Sequence, residues 1–115
     1  MISVIIPAKD AAQTLPACLE GVLHQEGLRF GADYEVIVVD DGSTDSTADI
    51  AARMGVRVVR QANGGPASAR NHGAREARGE LLVFTDADCI PTPGWLGALM
   101  GAFADARVAG AKGVY

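Results

Sequence analysis

Four short apolar runs rich in β-branched residues, Ile2–Ile6, Tyr34–Val39, Val56–Val59 and Leu81–Phe84, are spaced along the chain with a helical pattern in each interval. Runs of strand length that stay apolar throughout suit strands covered on both faces. Leu15, Cys18, Leu19, Val22 and Leu23 recur at helical spacing, and Gly27 is placed to stop that helix. Ser46 to Met54 reads as a second helix, with Ser46 and Asp49 at capping-box spacing and Gly55 behind it. Ala67–Arg78, opened by Pro66 and closed by Gly79, reads as a third. Pro93–Ala104, with Trp95, Leu96, Leu99, Met100 and Phe103 on one side, reads as a fourth. Val108–Val114 would be a fifth strand, weakened by Gly110 and Gly113. The alternation predicts an α/β fold: a Rossmann-like, mainly parallel sheet with helices on both faces and right-handed crossovers. The 115 residues suffice for one such domain and leave no room for a second core.

Composition removes several other classes. An apolar share of 49% with mixed charge and no period excludes collagen-like and disordered chains. The longest unbroken apolar run, Trp95 to Ala104, falls well short of the about 20 residues that span a bilayer. Ile2–Ile6 is followed at once by Pro7 and Lys9, which does not read as a signal segment. Two cysteines, Cys18 and Cys89, are too few for a disulfide scaffold and favour a reducing compartment. The expected location is cytoplasmic, with any attachment to the inner face of the membrane left to a portion outside these residues. The formal net charge of −4 conceals a split. Residues 1–50 carry nine acids against two bases, whereas residues 51–80 carry six arginines against two acids. That arrangement suits a site holding a cation beside an anionic ligand, and it equally suits solvated faces of opposite sign. No nucleic-acid partner is expected.

In doubly wound sheets, ligands bind beyond the carboxyl ends of the strands, where the strand order reverses. Four polar segments fall there: Pro7-Ala8-Lys9-Asp10, Asp40-Asp41-Gly42-Ser43, Asn63-Gly64-Gly65 leading to Arg70, and Thr85-Asp86-Ala87-Asp88. In an extended segment, Asp86 and Asp88 would point to one side and Ala87 to the other. Two converging carboxylates repel unless a cation joins them, and hard oxygen ligands suit Mg²⁺ or Mn²⁺. The same residues would also serve as a polar turn capping the next helix. Asp40-Asp41-Gly42-Ser43 is equally a turn with a helix cap or a carboxylate presented to a base or ribose. Gly64 and Gly65 permit close approach of the backbone, and a helix start bearing Arg70 favours an anion. A dinucleotide fingerprint is absent because no two glycines are separated by one residue, and no Gly-Lys-Ser/Thr P-loop occurs. His24, His72 and Cys89 read as packing or surface residues.

Together these segments resemble the amino-terminal half of family 2 glycosyltransferases of the GT-A fold. The matching text runs from Ile2-Ser3-Val4-Ile5-Ile6-Pro7 through Glu35–Asp45, Asn63-Gly64-Gly65, Ala69–Gly73, and Gly79-Glu80 to Thr85-Asp86-Ala87-Asp88. The resemblance implies metal-dependent, inverting transfer of a sugar from a nucleotide-diphospho-sugar, a UDP-sugar above all, with Mn²⁺ or Mg²⁺ as cofactor. It implies that Asp41 hydrogen-bonds the base, with Pro7 and Ala8 lining the same pocket and Asp10, Asp40 and Gly65 beside it. Arg70 would lie near the phosphates, Asp86 near the ribose or metal, and Asp88 on the metal. Lys9-Asp10 stands where many members carry an aromatic-Asn pair. The general base belongs to the family's other half and is expected beyond Tyr115. The chain thus reads as a donor-binding half, expected to self-associate through a truncated edge near Val108–Val114. A sugar-nucleotide pyrophosphorylase would need a Gly-rich loop after the first strand, which Pro7–Ala12 lacks. A receiver module would need an acidic pair there, and a non-catalytic nucleotide-binding module remains the third alternative.

Overall fold

A computed structural model describes residues 1–106, so the expected strand and contact edge at Val108–Val114 lie outside the described residues. The order is β1 (Ile2–Ala8), α1 (Leu15–Leu23), β2 (Tyr34–Asp41), α2 (Thr47–Arg53), β3 (Arg57–Gln61), α3 (Pro66–Glu76), β4 (Leu81–Phe84) and α4 (Trp95–Ala106). The strands form one parallel sheet in the order β3-β2-β1-β4. Consecutive strands first step one way from β1 and then return to its other side, which puts the reversal of order beside β1.

Side chains alternate across the sheet, so each strand feeds two cores. Val4, Ile6, Ala8, Val36, Val38 and Val83 pack with Leu15, Cys18, Leu19 and Val22 of α1, Ala51 of α2 and Leu96 of α4. Ile5, Ile37 and Val39 point the other way and pack with Ala69 of α3. The second layer is thin because α3 lies close to the sheet. A Cβ on Gly73 would run into Ile5 Cγ2 and come 3.1 Å from Val39 Cγ2, so only a bare glycine allows this approach.

The strands β1, β2 and β3 run two residues beyond their apolar runs. In-register neighbours Ala8 and Asp40, then Asp41 and Gln61, continue the ladder after apolar composition has ended. Pro7, Ala8, Asp40 and Asp41 are therefore strand residues rather than the first residues of loops. Helix α1 stops at Leu23 with His24 at its C-cap, ahead of Gly27. The expected capping box at α2 does not form, since Ser46 makes no side-chain cap bond. Asp45 replaces it, accepting from the Thr47 amide at 3.0 Å and from the Thr47 hydroxyl.

Candidate functional site

The carboxyl edge of the sheet holds a cleft of about 340 Å³ lined by residues of all four segments: Pro7 and Ala8, Asp41, Gly65, Arg70 and Asp86. Six of the predicted site residues thus meet in one place. Lys9 and Asn63, which were not predicted, line it too. The sequence carried a signal for both, because each lies inside a segment that ends a strand.

Asp41 terminates β2 and is 4% exposed. Its Oδ1 accepts from Gln61 Nε2 at 2.9 Å and from the Gly64 amide at 2.7 Å, while Oδ2 accepts from the Gly65 amide at 2.9 Å. The Gln61 side chain and the two glycine amides, aided by the positive charge of Lys9, outweigh burial and hold this carboxyl below its ordinary range. Gln61 is itself held by His72, whose Nδ1 lies 2.8 Å from Gln61 Oε1. The predicted packing role of His72 is therefore the support of a site residue. Gly65 reaches Asp41 only because it adopts φ 94°, a region closed to most L-residues, and it then forms the N-cap of α3.

Arg70 lies one turn into α3, with its Nη2 3.9 Å from Asp86 Oδ1 across the cleft. Asp86 follows β4 and is 65% exposed. Its neighbour Asp88 converges with it, although not by strand alternation. The segment bends, with the Cys89 amide donating to the Asp86 carbonyl at 3.1 Å, and this turn carries the two carboxylates to one side. Ligand atoms of Asp86, Asp88 and Cys89 all lie within 4.8 Å of one another. The turn is anchored from below by Cys18, whose buried thiol is pushed up to about 12, chiefly by burial, and donates to the Asp86 carbonyl at 3.5 Å. Two carboxylates at this spacing with Arg70 alongside suit a hard divalent cation shared with an anionic ligand.

Three predicted residues are not in the lining of this cleft: Asp88, which borders the adjoining cavity, Asp40 and Asp10. Asp40 is 7% exposed and accepts from the Ser43 amide at 3.1 Å, so its carboxylate closes the turn after β2. Asp10, at φ 49°, accepts from the Thr44 amide at 2.7 Å and donates its own amide to Ser43 Oγ at 2.8 Å. It ties the loop after β1 to the loop after β2, and it lines an adjoining cavity of about 320 Å³ together with Lys9 and Asp88.

Residues 3–115 match the family described as glycosyl transferase family 2. The chain belongs to that family. It is 36% identical over 101 residues to glycosyltransferase AglE of Haloferax volcanii, which covers 83% of this chain and 33% of AglE. Its fold is similar to that of Staphylococcus aureus TarS 1–349 in complex with UDP-GlcNAc, with a TM-score of 0.81 and 28% identity over 92% of this chain and 32% of that one. It is also similar to the mannosyltransferase PcManGT of Pyrobaculum calidifontis in complex with GDP-Man and Mn²⁺, with a TM-score of 0.83 and 31% identity over 90% of this chain and 32% of that one. The chain therefore spans about a third of the length of each of these relatives. The expected family 2 membership and the GT-A-type α/β sheet are both borne out. Among the described residues, no helix is long and apolar enough to cross a membrane.

Proposed function

We propose that this family 2 chain binds the nucleotide-diphospho-sugar donor for an inverting, divalent-cation-dependent glycosyl transfer. The observation that carries this reading is the meeting of Asp41, Arg70 and Asp86 around one cleft at the reversal point of the sheet, with Asp88 clustered beside Asp86 on the adjoining cavity. Asp41 and the strand end Pro7-Ala8 form the wall against which the base sits. Arg70 faces the diphosphate from the start of α3, where the helix dipole also favours an anion. Asp86 and Asp88 would hold Mn²⁺ or Mg²⁺, with hard oxygens offered by an exposed turn. A cation held there would supply positive charge against that developing on the leaving diphosphate. The arginine and the buried support of the turn keep those charges in place before the donor arrives, which limits reorganisation during transfer.

The binding of UDP-GlcNAc by TarS and of GDP-Man with Mn²⁺ by PcManGT supports the same class of ligand and cofactor for this chain. The base that deprotonates the acceptor hydroxyl is assigned to no residue here. Calorimetric titration with UDP, in the presence and absence of Mn²⁺, tests the reading. Binding is expected to tighten with Mn²⁺ and to lose that gain in Asp88→Ala. Binding indifferent to both the metal and Asp88 would overturn the metal role, and no binding of any nucleoside diphosphate would overturn the donor role.

A further inference from the structure

The turn after β4 brings a sulfur to the carboxylate pair. Cys89 directly follows Asp88, its side chain is exposed, and it belongs to neither core cluster, so packing does not account for it. Its Sγ lies 3.8 Å from Asp88 Oδ1, and ligand atoms of Asp86, Asp88 and Cys89 all fall within 4.8 Å of one another. A tetrahedral ion about 2.3 Å from sulfur and about 2.1 Å from oxygen spaces two such donors about 3.6 Å apart. The observed spacing is close to that value, and the three side chains are exposed and able to turn. The backbone beneath them is held. The Asp86 carbonyl accepts the Cys89 amide at 3.1 Å and the Cys18 thiol at 3.5 Å. Cys18 is buried and committed to that carbonyl, so Cys89 is the thiol on the side of the carboxylates.

We propose that Cys89, as a thiolate, is a third ligand to the cation held by Asp86 and Asp88, and that it tilts this clamp from Mg²⁺ toward borderline ions such as Zn²⁺ and Co²⁺. The proposal rests on the metal reading above and deepens it. Mg²⁺ takes hard oxygens and keeps several waters, so a sulfur adds little to its binding. Zn²⁺ and Co²⁺ accept thiolate readily, so the same sulfur adds much to theirs. On binding, the S–H bond of Cys89 breaks, its proton passes to solvent, and a sulfur–metal bond takes its place without any change of oxidation state. Three protein donors are also the number at which zinc keeps a further position open for water or substrate. That position suits an oxygen of the diphosphate. Zn²⁺ outranks Mn²⁺ at most sites whatever the ligands, so the claim concerns the part of the preference that depends on sulfur. Replacing that one atom isolates it.

Titration with Co²⁺, read in the near ultraviolet, detects the sulfur directly, because a cobalt–thiolate bond absorbs there by charge transfer and a cobalt–carboxylate bond does not. The unaltered protein is expected to show the band, and Cys89→Ser is expected to lack it. The serine keeps the backbone amide that forms the turn, and thermal unfolding checks that the variant folds. Competition between Zn²⁺ and Mn²⁺, followed by electron paramagnetic resonance of free Mn²⁺, gives the affinities. Zn²⁺ should bind Cys89→Ser at least about tenfold more weakly, since even partners that only orient a ligand are worth about 10–100-fold. Mn²⁺ affinity should change by less than about threefold. A Co²⁺ complex without the band, or Zn²⁺ affinity unchanged in Cys89→Ser, overturns the third ligand and leaves the carboxylate clamp standing. A band that survives in Cys89→Ser places the sulfur at Cys18 and overturns the proposal as well. Asp88→Ala should weaken Co²⁺ and Mn²⁺ alike. Ions indifferent to Asp88, or no binding of any of the three, would overturn the metal reading itself.

Discussion

Asp41 and the Asp86/Asp88 pair end neighbouring segments of the same sheet edge, yet their carboxylates are used in opposite ways. Asp41 is 4% exposed and accepts two backbone amides from the loop between β3 and α3 and the side-chain amide of Gln61 at the end of β3. Asp86 and Asp88 are exposed; among the described residues Asp86 faces the guanidinium of Arg70 at 3.9 Å, and Asp88 accepts a weak bond from the Cys89 thiol at 3.8 Å. One acid is committed to building the cleft, while the other two, held by no backbone amide, leave most of their lone pairs for something from outside. A site assembled from identical residue types thus divides into a fixed wall and an open clamp, and the division is set by how many internal donors each carboxylate meets.

The largest test of this contrast is Asp41→Ala. It leaves the Gly64 and Gly65 amides and the Gln61 side chain without their acceptor, which should cost about 2–4 kcal/mol of folding stability. Urea unfolding measures the loss, and nucleotide binding should vanish with it. A loss no larger than that of Asp88→Ala would erase the distinction between wall and clamp.

Acid sharpens the same point. Asp41 has its carboxyl held below the usual range by Gln61 and the loop amides. Burial pulls Glu35 the other way, but the Ser3 hydroxyl and the Arg78 amide outweigh it and leave Glu35 lowered as well. A carboxyl lowered in the folded state stabilises the protein fully above its unfolded value, about 3.9 for Asp and 4.3 for Glu. That contribution is lost as pH falls through the folded value. Stability should therefore be nearly level from pH 7 to 5 with respect to these groups and decline below about pH 4. Asp41→Asn should make the decline shallower, as read from urea midpoints at successive pH values. An unchanged slope would mean that Asp41 gains nothing from its donors.

Gly65→Ala comes next. Placing a Cβ on a residue at φ 94° should cost about 1–2 kcal/mol, although the added atom itself meets open space. The loss should appear together with weaker nucleotide binding, because the Gly65 amide is one of the three donors fixed on Asp41. Full stability in this variant would show that the loop reaches Asp41 without the special backbone angle.

The sheet was legible in the sequence because continuous β-branched runs admit few other environments, and Leu81–Phe84 coincides with β4 residue for residue. The ends of the other strands were not, because ladder pairing extends into Asp40, Asp41 and Gln61, whose polar side chains hide their extended backbone. The same limit applies to the site. Spacing placed Asp86 and Asp88 together, but it assigned their convergence to strand alternation when a turn achieves it. The bond from Cys18 to the Asp86 carbonyl spans 68 positions and leaves no local trace. Gln25 is a similar case, since it accepts from the Leu96 amide at 2.7 Å and joins α1 to the start of α4 without any motif to announce it. Lys9 and Asn63 belonged to segments already singled out, yet their meeting in one cleft depends on loops that only the folded sheet brings together.

The smallest expected effect on stability belongs to Asp88→Ala, and that smallness is what the contrast requires. Asp88 is exposed and is not among the residues whose carboxylates close a turn or hold a loop, so its removal should change folding stability by no more than about 0.5 kcal/mol. It should even relieve repulsion from Asp86, whose carboxylate lies within the same 4.8 Å cluster. Mn²⁺ binding should respond in the opposite manner, because the cation loses one of two hard oxygen donors and the remaining Asp86 is already drawn toward Arg70. Electron paramagnetic resonance of free Mn²⁺ measures the bound fraction directly, and thermal unfolding of the same sample measures stability. Strong loss of metal with stability retained identifies Asp88 as part of a clamp kept open for a ligand. Loss of stability with metal binding retained would place Asp88 with Asp41 instead, as a residue that the fold has already used.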